Sequence, residues 1–115
     1  MRPLVTGQML CSTQNNANQV RTFVTNRINT MQNFELTEPV TAFAYHGGRF
    51  MVNFSILADT VTDADGLFDY VVANWTSGGQ ANRILVGSTI RRTNNYDDEP
   101  EGQPDEVIRE AVKGA

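Results

Sequence analysis

The sequence predicts one small α+β domain made of an antiparallel sheet and two helices. Three observations lead to this prediction. The chain has 115 residues, enough for one hydrophobic core but not for two. Strand-like segments with period-2 alternation are interspersed with two segments of helical apolar spacing. Two adjacent glycines, Gly47 and Gly48, separate two of the strand-like segments and indicate a tight hairpin.

The N-terminal part of the chain predicts a strand followed by a helix. Residues 4–12 mix apolar and hydroxyl side chains without a helical period, which is typical of a strand. In residues 17–31 apolar side chains recur every three or four positions, which predicts an amphipathic helix capped by Asn15 or Asn16. The apolar positions of this helix are Val20, Phe23, Val24, Ile28 and Met31.

The middle of the chain, residues 40–57, predicts a β-hairpin around the glycine pair. If the turn has two residues, His46 lies opposite Arg49, and alternate side chains of both strands share a face. We expect one face to pack against the helices. Its side chains are Phe43, Tyr45, Phe50, Val52 and Phe54, with Val20, Phe23, Val24, Leu67, Val71 and Trp75 as their helical neighbours.

A second helix, a last strand and a tail follow the hairpin. Thr62 is expected to cap the helix, because Asp63 and Asp65 would then lie in its first turns. This helix is expected to end at 77–79, and residues 82–93 read as the last strand. Residues 94–104 are acidic and polar, as in a linker, and residues 104–112 predict a short amphipathic helix closed by Gly114.

The element order strand, helix, strand, strand, helix, strand contains two similar halves. They overlie with an offset of about 47 residues, so that Val20 matches Leu67 and Phe23 matches Tyr70. Two such units with right-handed crossovers form a four-stranded antiparallel sheet with both helices on one face. This arrangement, βαββαβ, resembles the ferredoxin-like fold. The predicted domain covers residues 1–96, and residues 97–115 form an acidic linker with the short C-terminal helix.

Charge is distributed unevenly. Residues 1–96 hold seven Arg against six acids, whereas residues 97–115 hold seven acids against two bases, for a net charge of −4. A near-neutral body with an acidic tail does not favour phosphate neutralisation, so no nucleic-acid partner is expected. The absence of long apolar runs and of a visible secretory signal predicts no membrane role and a cytoplasmic or virion-associated location.

The candidates for chemistry are few. His46, the only histidine, has no acid near it in sequence to orient it, so we interpret it as a surface residue of the turn. Cys11, the only cysteine, cannot form an internal disulfide and reads as a buried filler. We therefore predict no catalytic residue, no metal site and no cofactor, and an enzyme is the less favoured interpretation.

The favoured interpretation is a non-catalytic protein–protein interaction or assembly protein, such as a phage or virion accessory protein or a small regulator. The outer hairpin face is too apolar to remain in water, and the acidic tail suits a basic partner surface. The partner is a protein or a second copy in a homo-oligomer. The predicted interaction face comprises Val40, Ala42, Ala44, His46, Arg49, Met51, Asn53 and Leu57, and the predicted C-terminal arm comprises Asp97, Asp98, Glu99, Glu101, Val107, Ile108 and Val112.

An alternative interpretation is a small dimeric ferredoxin-like enzyme or ligand-binding protein. Its pocket would lie at the sheet face near His46, between paired subunits. The side chains expected to line that pocket are Ala42, Ala44, Met51 and Asn53.

Overall fold

All strands that the structure describes join one antiparallel sheet. The structure, a computed structural model, describes residues 2–75, 85–93 and 109–113. The elements in chain order are β1 (Leu4–Cys11), α1 (Gln14–Asn29), β2 (Phe34–Leu36), β3 (Thr41–Ala44), β4 (Phe50–Ala58), α2 (Val61–Asn74), β5 (Leu85–Thr93) and β6 (Arg109–Lys113).

In the described residues the sheet is five strands wide. β1 lies at its centre between β4 and β5, and β6 pairs with the outer side of β5. β2 and β3 both pair with the outer side of β4, one near each end. Buried side chains of α1 and α2 form one core with the same face of the sheet. The predicted α+β class with two helices and an antiparallel sheet is confirmed, but the sheet has five strands across and not four.

Both helices begin earlier than the sequence pattern predicts. The hydroxyl oxygen of Thr13 accepts a hydrogen bond from the Asn16 amide at 3.1 Å, and that of Thr60 accepts one from the Asp63 amide at 3.0 Å. Each threonine has extended backbone just after a strand, so its side chain can reach the amide three residues ahead. The predicted caps Asn15, Asn16 and Thr62 are therefore wrong. The predicted stop of the second helix at 77–79 lies outside the described residues.

The hairpin loop has three residues, not two. The Tyr45 amide donates to the Arg49 carbonyl oxygen at 2.7 Å, and Gly47 and Gly48 take φ values of 71° and 74° between them. Such positive φ values are accessible to glycine at little cost. The extra residue shifts the register by one, so Phe43 lies opposite Met51 and not opposite Val52.

Because of this shift, each side chain of β3 lies on the opposite face of the sheet from the one predicted. A slip of one residue exchanges the two faces of a strand. Phe50, Val52 and Phe54 of β4 do face the helices, with Val52 and Phe54 buried, as predicted. Phe43 and Tyr45 do not: they are on the opposite face and remain 42% and 44% exposed. The prediction that these two aromatic residues belong to the core is wrong.

The C-terminal helix prediction is also wrong where the structure describes it. Residues Arg109–Lys113 form β6, which runs antiparallel to β5 from the pair Ser88 and Lys113 to the pair Arg92 and Arg109. A short helix gains little stability in water, whereas the unpaired edge of β5 offers a row of amides and carbonyls. Residues 94–108 lie outside the described part of the chain, so the linker stays a prediction.

An aromatic cluster anchors the core between the helices and the sheet. Trp75, the residue that ends α2, makes edge-to-face contacts with Phe23, Phe54 and Tyr70, with ring centroids 5.5 to 6.3 Å apart. The Phe54 ring lies over Gly7 on the neighbouring strand, where an added Cβ would come within 2.2 Å of it. The missing side chain at Gly7 thus leaves the space in which the ring packs.

Among the side chains that the structure describes, one charged group, that of Arg92, enters this core. Arg92 of β5 is 1% exposed, and its Nε lies 2.9 Å from Oδ1 of Asp65 on α2. The adjacent Arg91 points to the other face of the sheet and is exposed, as strand alternation requires. This ion pair ties β5 to the first half of α2.

Candidate functional site

The face of the sheet turned away from the helices, called here the open face, is the candidate functional site. Among the described residues no helix packs on it. Strand pairing places its side chains in rows that run across the strands. The side chains on this face are Leu4, Thr6, Gln8 and Leu10 of β1, Met51, Asn53, Ser55 and Leu57 of β4, Glu35 of β2, Thr41 and Phe43 of β3, and Thr89, Arg91 and Thr93 of β5.

The centre of the open face is polar. One row contains Asn53, Gln8 and Thr89, and the next contains Ser55, Thr6 and Arg91. These six side chains border a concavity of about 380 Å³. Glu38, between β2 and β3, completes its wall, and the floor includes Gly7 and Phe54, whose backbones face this side.

The hairpin end of the open face is apolar. Phe43 and Met51 are paired across β3 and β4, and Leu10 is the partner of Met51 on β1. Tyr45 has extended backbone two residues after Phe43 and therefore shares its face. We call these four residues, Leu10, Phe43, Tyr45 and Met51, the aromatic strip. Of the large apolar side chains in the described residues, Phe43, Tyr45 and Val61 are the exposed ones, and two of the three belong to this strip.

The opposite end of the open face is closed. Leu4 and Leu57 are paired there and both are buried. Arg2 spans the same end, with its Nη2 3.0 Å from Oε1 of Glu35 and 3.3 Å from Oδ1 of Asp59. These ion pairs are exposed to solvent and contribute little to stability. The apolar surface available for contact is therefore at the hairpin end.

The structure splits the predicted interaction face. Met51, Asn53 and Leu57 lie on the open face, but Leu57 is buried. Arg49 has extended backbone opposite Tyr45 and two residues before Met51, so it lies on the same side, exposed at the hairpin end. The register shift moves Val40, Ala42 and Ala44 off this face: Val40 is buried in the core, Ala42 packs against it and Ala44 is exposed. His46 is exposed in the hairpin loop.

The predicted C-terminal arm is described only in part. Val112 lies in β6 opposite Thr89 of β5. The other six residues lie outside the described residues, and they are Asp97, Asp98, Glu99, Glu101, Val107 and Ile108.

Sequence reasoning missed the polar centre and the two exposed aromatic residues. The alternation of Thr6 and Gln8 with Val5, Gly7 and Met9 in β1 was a readable signal for a polar outer face. The exposure of Phe43 and Tyr45 depends on the loop length, which two adjacent glycines do not determine.

His46 and Cys11, the two side chains considered for chemistry, lie in different surroundings. His46 is exposed and its ring lies edge-to-face on Tyr45, with centroids 4.8 Å apart. Cys11 is fully buried, and burial raises the pKa of its thiol from 9.0 to about 11, which disfavours the nucleophilic thiolate. In the parts of the chain that the structure describes, no three His, Cys, Asp or Glu residues gather where they could hold a metal ion.

The described helices are too short or too polar to cross a membrane. Comparisons with protein-family models, with curated proteins and with solved structures found no match to this chain.

Proposed function

We propose that this chain is a non-catalytic assembly protein that pairs with a second copy of itself through the aromatic strip and the edge of β3. The proposal rests on one observation, the exposure on one face of Phe43, in the edge strand β3, and of Tyr45, which directly follows that strand. Aromatic residues and Met are enriched in the cores of protein interfaces, where rigid rings bury much area at small entropic cost.

The backbone of β3 supports the same partner. Within the described part of the chain, no strand pairs with the outer edge of β3. A second β3 can add there in antiparallel orientation, as in other sheet extensions. A two-fold axis at that edge would place Phe43 and Tyr45 of both copies in one self-complementary contact. The near balance of charge in residues 1–96 offers little repulsion between copies.

The strand order supports a ferredoxin-like arrangement. We infer that β2 and β3 are one interrupted edge strand, that β4, β1 and β5 follow in that order, and that β6 is an addition to the fold. In such a fold the helices pack on one face of the sheet to form the core, and the open face is left for contacts with other molecules. The placement in the cytoplasm or in a virion rests on composition alone, and so does the role as accessory protein or regulator.

Mass in solution tests the dimer. The double variant Phe43→Ser/Tyr45→Ser should be a monomer by light scattering at concentrations where the wild type is a dimer. Val61→Ser is the matched control, because Val61 is exposed to a similar extent, 41%, at the start of α2. A wild type that stays monomeric at millimolar concentration, or a double variant that dimerises like the control, would contradict the proposal.

The polar concavity favours a second candidate function, that of a small-molecule binding protein. Its volume of about 380 Å³ lies within the range of ligand sites. Of the side chains predicted to line a pocket near His46, Asn53 lines this concavity, whereas Ala42, Ala44 and Met51 do not, and neither does His46.

A further inference from the structure

We propose that the concavity on the open face binds a neutral polyhydroxylated molecule, such as a sugar of one or two rings. The site is separate from the aromatic strip, so the proposal does not depend on dimerisation. It rests on the side chains that strand pairing brings together there, on their charge balance and on the unpartnered oxygen of Asn53.

The lining is built for hydrogen bonds. Thr6, Ser55 and Thr89 present hydroxyl groups, and Gln8 and Asn53 present amides, all from three adjacent strands at the centre of the sheet. Hydroxyl and amide side chains can each donate and accept. Because they stand on paired strands, their spacing is held by the sheet, as in sites that bind rigid ligands. An apolar protein surface placed here would instead remove their water without replacing its hydrogen bonds.

The charges at the walls favour a neutral ligand. Glu38 lies next to Ser55, since the Thr37 amide donates to the Ser55 carbonyl oxygen at 2.9 Å. Arg91 lies on the far side of Thr6, two strands away from Ser55. The Glu38 carboxylate would repel a small anion, and the Arg91 guanidinium would repel a small cation. Sugar hydroxyls can bond to both groups, because planar carboxylate and guanidinium ends match pairs of neighbouring hydroxyls.

Asn53 adds a second observation. Its Oδ1 is shielded from solvent and has no hydrogen-bond partner. A buried acceptor without a donor lowers stability, so a group that supplies a donor is favoured there. Rotation of the amide toward the concavity would let a ligand hydroxyl donate to it.

The test is a titration followed by ¹⁵N-resolved NMR, with glucose, N-acetylglucosamine and maltose as separate probes. At least one sugar should shift the amide signals of Gln8, Asn53 and Thr89 in a saturable manner. Gln8→Ala should weaken that binding about 3- to 10-fold, the loss of about one hydrogen bond. Gln19→Ala is the matched control, because Gln19 is exposed on α1, on the other side of the sheet. It should bind like the wild type.

Three results would overturn the proposal: no shift with any of the three sugars, equal weakening by both glutamine variants, or the same shifts with sodium phosphate. Repeating the titration with Phe43→Ser/Tyr45→Ser separates the two proposals. Sugar binding by a monomeric double variant supports both. Sugar binding by a wild type that never dimerises supports this site and contradicts the proposed assembly.

Discussion

Cys11 shows how one buried group couples the stability of this protein to pH. Its thiol is fully buried, and burial raises the pKa from 9.0 to about 11 because the thiolate is poorly solvated in the core. The folded pKa lies above the unfolded one, so the contribution of the neutral thiol to stability is complete below pH 9. It is lost as the pH rises from 9 through about 11, because the unfolded chain then releases a proton that the folded chain keeps.

We therefore expect alkali to destabilise the wild type more than the variant Cys11→Ala. The extra loss in the free energy of unfolding should reach roughly 2 to 3 kcal/mol by about pH 11, from a difference of about two pKa units. Urea unfolding of both proteins at a series of pH values measures it. Comparing the slopes removes the tyrosine and lysine contributions that both share. Parallel curves above pH 9 would show that the Cys11 thiol is not protected in the folded state.

At the scale of elements, β3 and β4 show what the sequence can determine and what it cannot. The alternation in residues 50–58 predicts which side of β4 faces the helices, and the structure agrees. The same reasoning fails for β3, because Gly47 and Gly48 fit loops of two or three residues equally well. One residue of loop length decides whether Phe43 and Tyr45 enter the core or the aromatic strip.

The C-terminal segment illustrates a different limit. Residues 107–112 carry apolar side chains that fit one turn and a half of helix, and nothing local rejects that prediction. The open edge of β5 exists only once the sheet has formed. The pattern of residues 107–112 alone therefore does not predict that this segment pairs with β5. The concavity was missed for the same reason, since its lining comes from β1, β4 and β5. Local patterns predict elements, whereas register and neighbours determine sites.

The ion pair between β5 and α2 gives a test at this scale. Asp65→Asn should lower the free energy of unfolding by about 1 to 3 kcal/mol, because the Arg92 guanidinium stays buried without its carboxylate. The range lies below that of a fully buried pair, since the Asp65 side chain is 42% exposed.

Asp63→Asn serves as the control for the Asp65 variant. Asp63 is nearer to the N-terminus of α2, so its replacement removes at least as much helix-dipole stabilisation. Chemical denaturation of both variants provides the comparison. An equal loss in the two would mean that the ion pair with Arg92 adds nothing.

At the scale of the whole molecule, the two edges of the sheet end in different kinds of strand. β3 leaves an edge without a strand partner in the described residues, beside exposed aromatic side chains. At the other edge β6 covers five positions of β5, from Ser88 to Arg92. An uncovered strand of nine residues with Val, Ile and Thr side chains is a typical template for aggregation. β6 is then the edge strand itself, and it is short and carries the charged residues Arg109, Glu110 and Lys113, features that disfavour further strand pairing. We infer that β6 restricts self-association to the β3 edge.

Removing residues 109–115 should uncover the β5 edge. The expected results are a loss of about 1 to 3 kcal/mol in stability from the missing strand hydrogen bonds, faster hydrogen exchange at β5 amides than at β4 amides, and association beyond the dimer. A chain that lacks residues 114–115 alone is the control, because it keeps β6 whole. Introducing Phe43→Ser/Tyr45→Ser into the shortened chain then tells the edges apart. If β5 is the new contact, that triple change still associates, whereas a monomer would show that β6 does not restrain the sheet.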